Sequence, residues 1–406
     1  MDATSPEEPA YLPRVDDYAR LCRAIADRPR PLAFVDVDRF DENARAMEGR
    51  ATSMPIRVAS KSVRCVALLR RVLRRSGWAG VLAYSVDEAL HLARHGFDDV
   101  LVAYPCADRV RLTELALHAR EGGAPVLMVD DVAQVRLVAE VARAHGVTLE
   151  LALDVDVALS LPKLYFGVRR SPVRDVASAR AVGDAVLVEA GVRLVGVMGY
   201  EAQIAGLPDA TGHASDLAIR ALKRLSFADV RRRRGAIVEA LRSDGHPIRL
   251  VNGGGTGSLD ITSRDPSVTE LAAGSGLFAP TSFDAFTGFR HRPAAGFALS
   301  VTRRPSSDLV TCFGGGYVAS GPPSAAKVPA PWLPEGLTLL PHEMAGEVQS
   351  PLRVPRGVSL AIGDPVFFRH AKAGELCERF ARLLLISGDR IVDEVATYRG
   401  EGESFG

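Results

Sequence analysis

The feature that most constrains this chain is an alternation. From Ile56 onward, short β-prone runs and amphipathic helical stretches follow one another about eight times, the number of strand–helix units that closes a parallel barrel. The first run, Ile56-Arg57-Val58-Ala59-Ser60-Lys61-Ser62, ends on a lysine and passes into Val66 to Leu73. There Leu68, Leu69, Val72 and Leu73 recur at helical spacing with arginines between them, so the order is strand, lysine, helix. Gly80 to Tyr84 reads as the next strand, and Ser85 to Glu88 as a capping box opening a helix that ends at Gly96, where a left-handed residue is needed. Further strands are expected at Asp99–Tyr104, Pro125–Val129, Leu149–Val155, Arg193–Gly199, Ile248–Asn252 and Thr269–Ala273. The pattern predicts a helix from Val132 to His145 that ends in Gly146, and another from Asp216 to Arg242 that ends near Gly245.

The expected fold class is therefore α/β, a parallel (β/α)8 TIM-type barrel followed by a β-rich C-terminal domain. A doubly wound open sheet is the competitor, because alternation alone does not prove closure. The expected division is an N-terminal segment 1–55, whose strand Pro31–Val37 joins the β domain, a barrel 56–290 and a C-terminal domain 291–406. Closure would bring Lys61, Ser85, Asp130, Asp154, Asp156, Tyr200, Glu201, Asn252 and Ser275 to one face, since all follow strand ends and barrel active sites sit there.

The second informative stretch is Val251-Asn252-Gly253-Gly254-Gly255-Thr256-Gly257-Ser258, directly after the seventh expected barrel strand. Glycines let backbone amides approach an anion, and Thr256 and Ser258 add hydroxyls. Barrels commonly hold phosphate in the loops after strands seven and eight, and Gly274-Ser275-Gly276 would supply the other half of such a cup. A tight turn is the alternative. The run is not a P-loop, since no Gly-Lys-Ser/Thr follows, and it does not fit the dinucleotide fingerprint. A lysine on the first barrel strand facing a phosphate cup built from the last two is a way to hold pyridoxal phosphate, aldehyde on the amine and phosphate at the far end.

On these residues the chain resembles the fold-type III pyridoxal phosphate enzymes, the alanine racemase-like barrel family, and within it the amino acid deaminase/aldolase branch that contains D-threonine aldolase and D-serine dehydratase. The resemblance runs through Pro31 to Asp38 with Asn43, the Lys61 strand, Asp154-Val155-Asp156 with Phe166-Gly167-Val168, and Gly196 to Glu201. It continues through the glycine loop to Ile362-Gly363-Asp364-Pro365-Val366 and Arg369-His370-Ala371-Lys372. It implies that Lys61 anchors the cofactor and then acts as a base, with Tyr200 lining the site. Asn252, Gly254, Gly255, Thr256, Gly274 and Ser275 would be cofactor contacts. It also implies a homodimer.

The chain departs from the branch at several positions. Ala59 and Val63 stand where two histidines flank the lysine, and Ala202-Gln203 stands where Gly-His follows the Tyr-Glu pair. Tyr165 replaces an arginine before the Gly-Val, and Arg169 just after it is the candidate substitute. The branch binds a divalent metal through His-x-Asp or His-x-Cys. Here His370 matches, but Lys372 takes the second place, and an ammonium does not coordinate a metal. Cys377 is the possible partner of His370; alternatively the fixed charge of Lys372 stands where a metal would. Arg57, four residues before Lys61, reads either as a carboxylate or ring-oxygen contact or as a barrel ion pair. The run Arg231 to Arg234 reads as a solvated helix face rather than a polyanion site.

Composition sets the outer limits. With 406 residues, 47% of them hydrophobic, the chain can bury a large core. A net charge of +1 argues against a dedicated nucleic-acid surface. Five scattered cysteines with no C-x-x-C pair indicate neither a disulfide framework nor a zinc finger. The start, Met1 to Glu8, lacks signal-peptide character, and no apolar run reaches membrane-spanning length, so a cytoplasmic enzyme is expected, with a small-molecule amino acid as its partner and neither nucleic acid nor membrane. The main functional expectation is a pyridoxal phosphate lyase for a β-hydroxy D-amino acid, by retro-aldol cleavage or deamination. The alternatives are an amino-acid racemase, with Tyr317 as the second proton donor, and a non-catalytic pyridoxal phosphate carrier.

Overall fold

The computed structural model describes residues 16–322 and 324–405. The segment Met1 to Glu8 lies outside the described residues. The described chain divides into two compact units. A barrel unit takes residues 47–61, 69–274 and 405, and a sheet unit takes residues 16–46, 62–68 and 275–404.

In chain order, β1 (Leu32–Asp36) belongs to the sheet unit, and β2 (Ile56–Ala59), β3 (Trp78–Ala83), β4 (Val100–Val102), β5 (Val126–Val129) and β6 (Leu149–Asp154) to the barrel. After β6 the chain makes a small hairpin, β7 (Leu159–Leu161) and β8 (Leu164–Phe166). It then completes the barrel with β9 (Val192–Gly199), β10 (Leu250–Gly253) and β11 (Glu270–Ala273). The ring runs β2-β3-β4-β5-β6-β9-β10-β11 and closes through Leu271 beside Ile56, every neighbour parallel. Closure removes the open doubly wound sheet from consideration. Strands such as β5 are buried along their whole length, which is why they read as continuous apolar runs rather than as alternating ones.

The barrel interior is filled, not hollow. Leu101, Val126, Met128, Ala152, Val195 and Met198 form one apolar cluster. Beside them the Arg57 guanidinium forks onto Glu270, with Nε 2.6 Å and Nη2 2.8 Å from its carboxylate oxygens, and reaches Asp99 at 2.7 Å. Asn252 donates to the same Glu270 at 2.6 Å. Of the two readings of Arg57, the structure shows the ion pair. A guanidinium that is 4% exposed needs its carboxylates, because an unpaired charge there would carry the full cost of desolvation.

Helix ends follow the local signals. Ser85 caps the helix Val86–Arg94 by accepting the Glu88 amide at 3.1 Å, while the Glu88 carboxylate turns one residue further back and accepts the Tyr84 amide at 2.7 Å. Gly96, Gly146 and Gly245 all take the left-handed conformation just past helix ends. Among the described residues no helix is long and apolar enough to cross a membrane.

The sheet unit is built from β1 with β12 (Ala295–Ser306), β13 (Leu309–Phe313), β14 (Ala330–Leu333), β15 (Thr338–Leu339), β16 (Gln349–Arg353), β17 (Pro365–Arg369), β18 (Arg382–Ser387) and β19 (Arg390–Ala396). β1 lies between β12, antiparallel, and β18, parallel. Its Leu32 and Phe34 pack with Leu21, Ile25, Ala298, Leu333, Phe367, Leu384 and Ile386, so the N-terminal strand is a central element of this unit's core.

Candidate active site

Lys61 lies in a single 3-10 turn, Ser60–Ser62, at the C-terminal end of β2. The turn is pinned by the buried Ser60, whose hydroxyl donates to the Leu82 carbonyl on β3 at 2.9 Å. The lysine itself is exposed. Its Nζ is 2.9 Å from the Tyr104 hydroxyl and 5.4 Å from the centre of that ring. Tyr104 follows β4, two strands along the ring from β2.

The same end of the barrel carries Asp130 after β5, Asp154 at the end of β6 and Tyr200 after β9. Burial, with the charge of Asp130 added, pushes the Asp154 carboxyl up to about 7 against the opposing pull of Arg170. Burial also raises Asp130, with Gln134 opposing, and pushes the Tyr200 phenol up to about 12. Tyr104 is the exception: burial would raise it, but the Lys61 ammonium, its hydrogen bond and the charge of Arg170 together bring it below its ordinary value. The barrel end thus carries two cations, a carboxyl that titrates near neutrality, one phenol held protonated and one driven toward ionisation.

The glycine loop is held from beneath by a buried ion triad. Arg234, on the long helix Ser215–Ser243, has no exposed side-chain surface, and neither do its partners Glu201 and Asp265. Its Nη1 donates to Glu201 at 2.7 Å and to the Gly199 carbonyl at 3.1 Å, and its Nη2 donates to Asp265 at 2.8 Å. The other oxygen of Glu201 accepts the Gly254 amide at 2.6 Å, and Ser258 accepts the Gly255 amide at 3.1 Å. Gly254 is left-handed, with φ at 82°, a conformation costly for any other L-residue. A Cβ on Gly255 would lie 2.7 Å from Ala205 and 3.1 Å from the Tyr200 ring, so glycine is required by close approach. Arg50 adds a bond to the Thr256 carbonyl at 2.7 Å. The strand order β10-β11-β2 puts this cradle two strands from Lys61, about 10 Å at the usual strand spacing.

Sequence-expected residues are not all placed where chemistry could use them. Asn252 is 1% exposed and committed to Glu270, so it braces the barrel interior. Arg169 stacks 3.8 Å over the Tyr165 ring, whereas its neighbour Arg170 is the one felt electrostatically by Tyr104, Asp154 and Tyr200. Gln203 donates to the Val157 carbonyl and to Ser226 within the core. The solvated-face reading of Arg231 to Arg234 holds for the first two, which are exposed, and fails for the others. Arg233 binds the carbonyls of Asp156, Arg174 and Ala158, and Arg234 holds the triad. Gly274 ends the barrel unit after β11.

In the sheet unit, Ser275 opens the short helix Ser275–Phe278 with its hydroxyl 2.9 Å from that of Ser62. Tyr317 packs edge-on against Phe297 and Phe380. His370 is buried, and its Nδ1 faces the Lys372 backbone, 2.6 Å from the carbonyl and 3.1 Å from the amide. The Lys372 ammonium donates to Ser320 at 2.6 Å, and the Ser320 amide donates to Glu375 at 2.8 Å. Cys377 points its thiol at the Val63 carbonyl, 3.2 Å away, and burial holds that thiol protonated. Lys372 and Cys377 do not complete a divalent-metal ligand set around His370: an ammonium has no lone pair to give, and the buried thiol is capped by a backbone carbonyl.

The alanine racemase N-terminal domain family matches residues 35–278. The chain belongs to that family. The match spans the whole barrel from β2 to β11 and contains Lys61, Tyr104, Asp154, Tyr200 and the glycine loop. Among relatives in sequence, a 3-hydroxy-D-aspartate aldolase of Paracoccus denitrificans (strain Pd 1222) is 25% identical over 257 residues, covering 62% of this chain and 61% of that protein. A D-threonine aldolase of Arthrobacter sp is 25% identical over 257 residues, covering 63% of this chain and 62% of that protein. The matched stretch is thus less than two thirds of the length of either relative.

Among solved structures, a D-threonine aldolase from Filomicrobium marinum superposes with a TM-score of 0.80 at 22% identity, covering 93% of this chain and 96% of that one. A D-threo-3-hydroxyaspartate dehydratase from Delftia sp. HT23 gives 0.73 at 21% identity, covering 92% and 98%. At these identities the structural likeness establishes the fold. As a member of the alanine racemase N-terminal domain family, the chain carries two residues at its barrel end that the sequence reading passed over, Tyr104 and Arg170. Tyr104 closes an expected strand just as Lys61 does, and that position was the available signal.

Proposed function

We propose that the protein is a pyridoxal phosphate-dependent lyase of β-hydroxy D-amino acids, cleaving by retro-aldol reaction or by deamination, with Lys61 as the covalent anchor of the cofactor. One observation carries the reading: an exposed lysine at the C-terminal end of the first barrel strand, with a glycine cradle two strands away, in a chain of this family. Pyridoxal phosphate, when bound, supplies an electron sink for bonds at the amino acid's α-carbon. The chain's own parts have separate tasks. Lys61 holds the aldehyde end, and the loop from Gly254 to Thr256, with the triad behind it, holds the phosphate end. Tyr200 walls the cradle with a neutral phenol. The aldolase and dehydratase names of the relatives support the substrate class, and the protein is proposed to act as a homodimer, which light scattering checks.

The test is direct. Purified protein supplied with vitamin B6 is expected to show a visible imine band that is absent in Lys61→Ala. Incubated with D-threonine, D-serine and 3-hydroxy-D-aspartate, it is expected to release glycine plus aldehyde or ammonia plus keto acid. A band that persists in Lys61→Ala removes the anchor; release of the L-enantiomer alone replaces the lyase with a racemase.

A further inference from the structure

The geometry points to Tyr104 as the proton-exchange partner of Lys61, a second acid–base residue at the barrel end; the inference rests on the reading of Lys61 as the cofactor anchor. Three observations converge. The phenol oxygen is 2.9 Å from Nζ, within direct proton-transfer distance. The backbone behind it is fixed, since the Ala103 amide donates to the Ala83 carbonyl at 2.8 Å and Pro105 follows. The third is the order of strands. With the cradle on β10, the lysine after β2 and the tyrosine after β4, Tyr104 stands on the side of Lys61 away from the cradle.

The other groups at the barrel end differ from Tyr104 in their surroundings. The Tyr200 phenol is held protonated by burial. Asp154 faces Asp130, Asp156 and Arg170. Burial and Asp154 raise the Tyr104 phenol, and Lys61 with Arg170 outweigh them, bringing it below its ordinary value.

The exchange balances within the pair. An N–H bond of the Lys61 ammonium breaks, the proton forms an O–H bond on the ionised Tyr104 oxygen 2.9 Å away, and the electron pair stays on Nζ. Run in reverse, the phenol returns the proton when the amine is released. Nothing is oxidised and no further reactant is needed.

Two measurements on the full-length chain test this. In protein stripped of cofactor, the tyrosinate absorbance of wild type minus that of Tyr104→Phe isolates one phenol. It is expected to ionise below the ordinary tyrosine range and to move back up by about one pH unit or more in Lys61→Met. When pyridoxal phosphate is then added, Tyr104→Phe is expected to reach the same final imine absorbance as wild type, but at a rate lower by roughly 10²-fold. A phenol whose titration ignores Lys61→Met, or a Tyr104→Phe chain that loads at the wild-type rate, overturns the proposal. The titration involves no cofactor, so it still decides about the pair if wild type forms no imine and the wider functional reading falls.

Discussion

Asp154 shows how one residue's surroundings set its charge. Its carboxyl sits at the end of β6 with Asp130 and Asp156 as like-charged neighbours, and burial with that repulsion brings it to about 7. The unfolded chain gives up the same proton at about 4. Between those values the folded state holds a proton that the unfolded state has lost, so stability is full below the lower value and declines as pH rises through the higher one. Asp154→Asn removes the ionisation. It is expected to unfold in urea like wild type at about pH 4 and to be more stable by roughly 1–3 kcal/mol at about pH 8. An unchanged difference across that range would show that Asp154 carries no buried penalty. The same residue scale separates Arg169 from Arg170. Adjacent and alike in sequence, they differ only in which way the chain turns after the β7–β8 hairpin.

At the scale of elements, the long helix Ser215–Ser243 is the support on which the glycine loop rests. Arg234 reaches from it to Glu201 after β9 and to Asp265 before β11, and Glu201 passes the constraint to the Gly254 amide. Removing one member leaves the other charges buried and unpaired. Arg234→Met is therefore expected to cost roughly 3–5 kcal/mol of stability, read by chemical denaturation, and to weaken the affinity for pyridoxal phosphate more than that for pyridoxal, which lacks the phosphate. Equal loss for both would mean that the triad stabilises the barrel without shaping the cradle. A block of charges on a helix usually forms a solvated face, which is the expectation for Arg231 to Arg234. Periodicity registers that four consecutive residues sweep all sides of a helix, but it does not register that this helix is buried on the side of Arg234.

At the scale of the whole molecule, the C-terminal residues bear on whether a metal is needed. In the sheet unit, His370 is folded onto the Lys372 backbone, the Lys372 ammonium is tied to Ser320, and Cys377 is capped by a carbonyl. The purified protein is expected to carry no stoichiometric zinc or manganese and to keep its activity in a chelator. Activity that disappears on chelation and returns with either ion would overturn that expectation.

Much of this was legible in the chain before folding. The strand–helix alternation, the lysine at the end of the first barrel strand and the glycine run after the seventh are local patterns, set by backbone propensity and by the period at which apolar residues recur. They determined the barrel and the place of Lys61 at the end of its first strand. Pairings between distant residues were decided by tertiary structure alone. Arg57 and Asn252 meet at Glu270 across adjacent strands, Arg234 reaches Glu201 and Asp265 from a helix, and Tyr104 meets Lys61 from two strands away, because closing the ring brings together residues far apart in sequence. A charged or phenolic side chain looks the same in sequence whether it faces water, a counter-charge or a reacting amine. Which of these it faces sets its chemistry, and that is fixed only when the barrel closes.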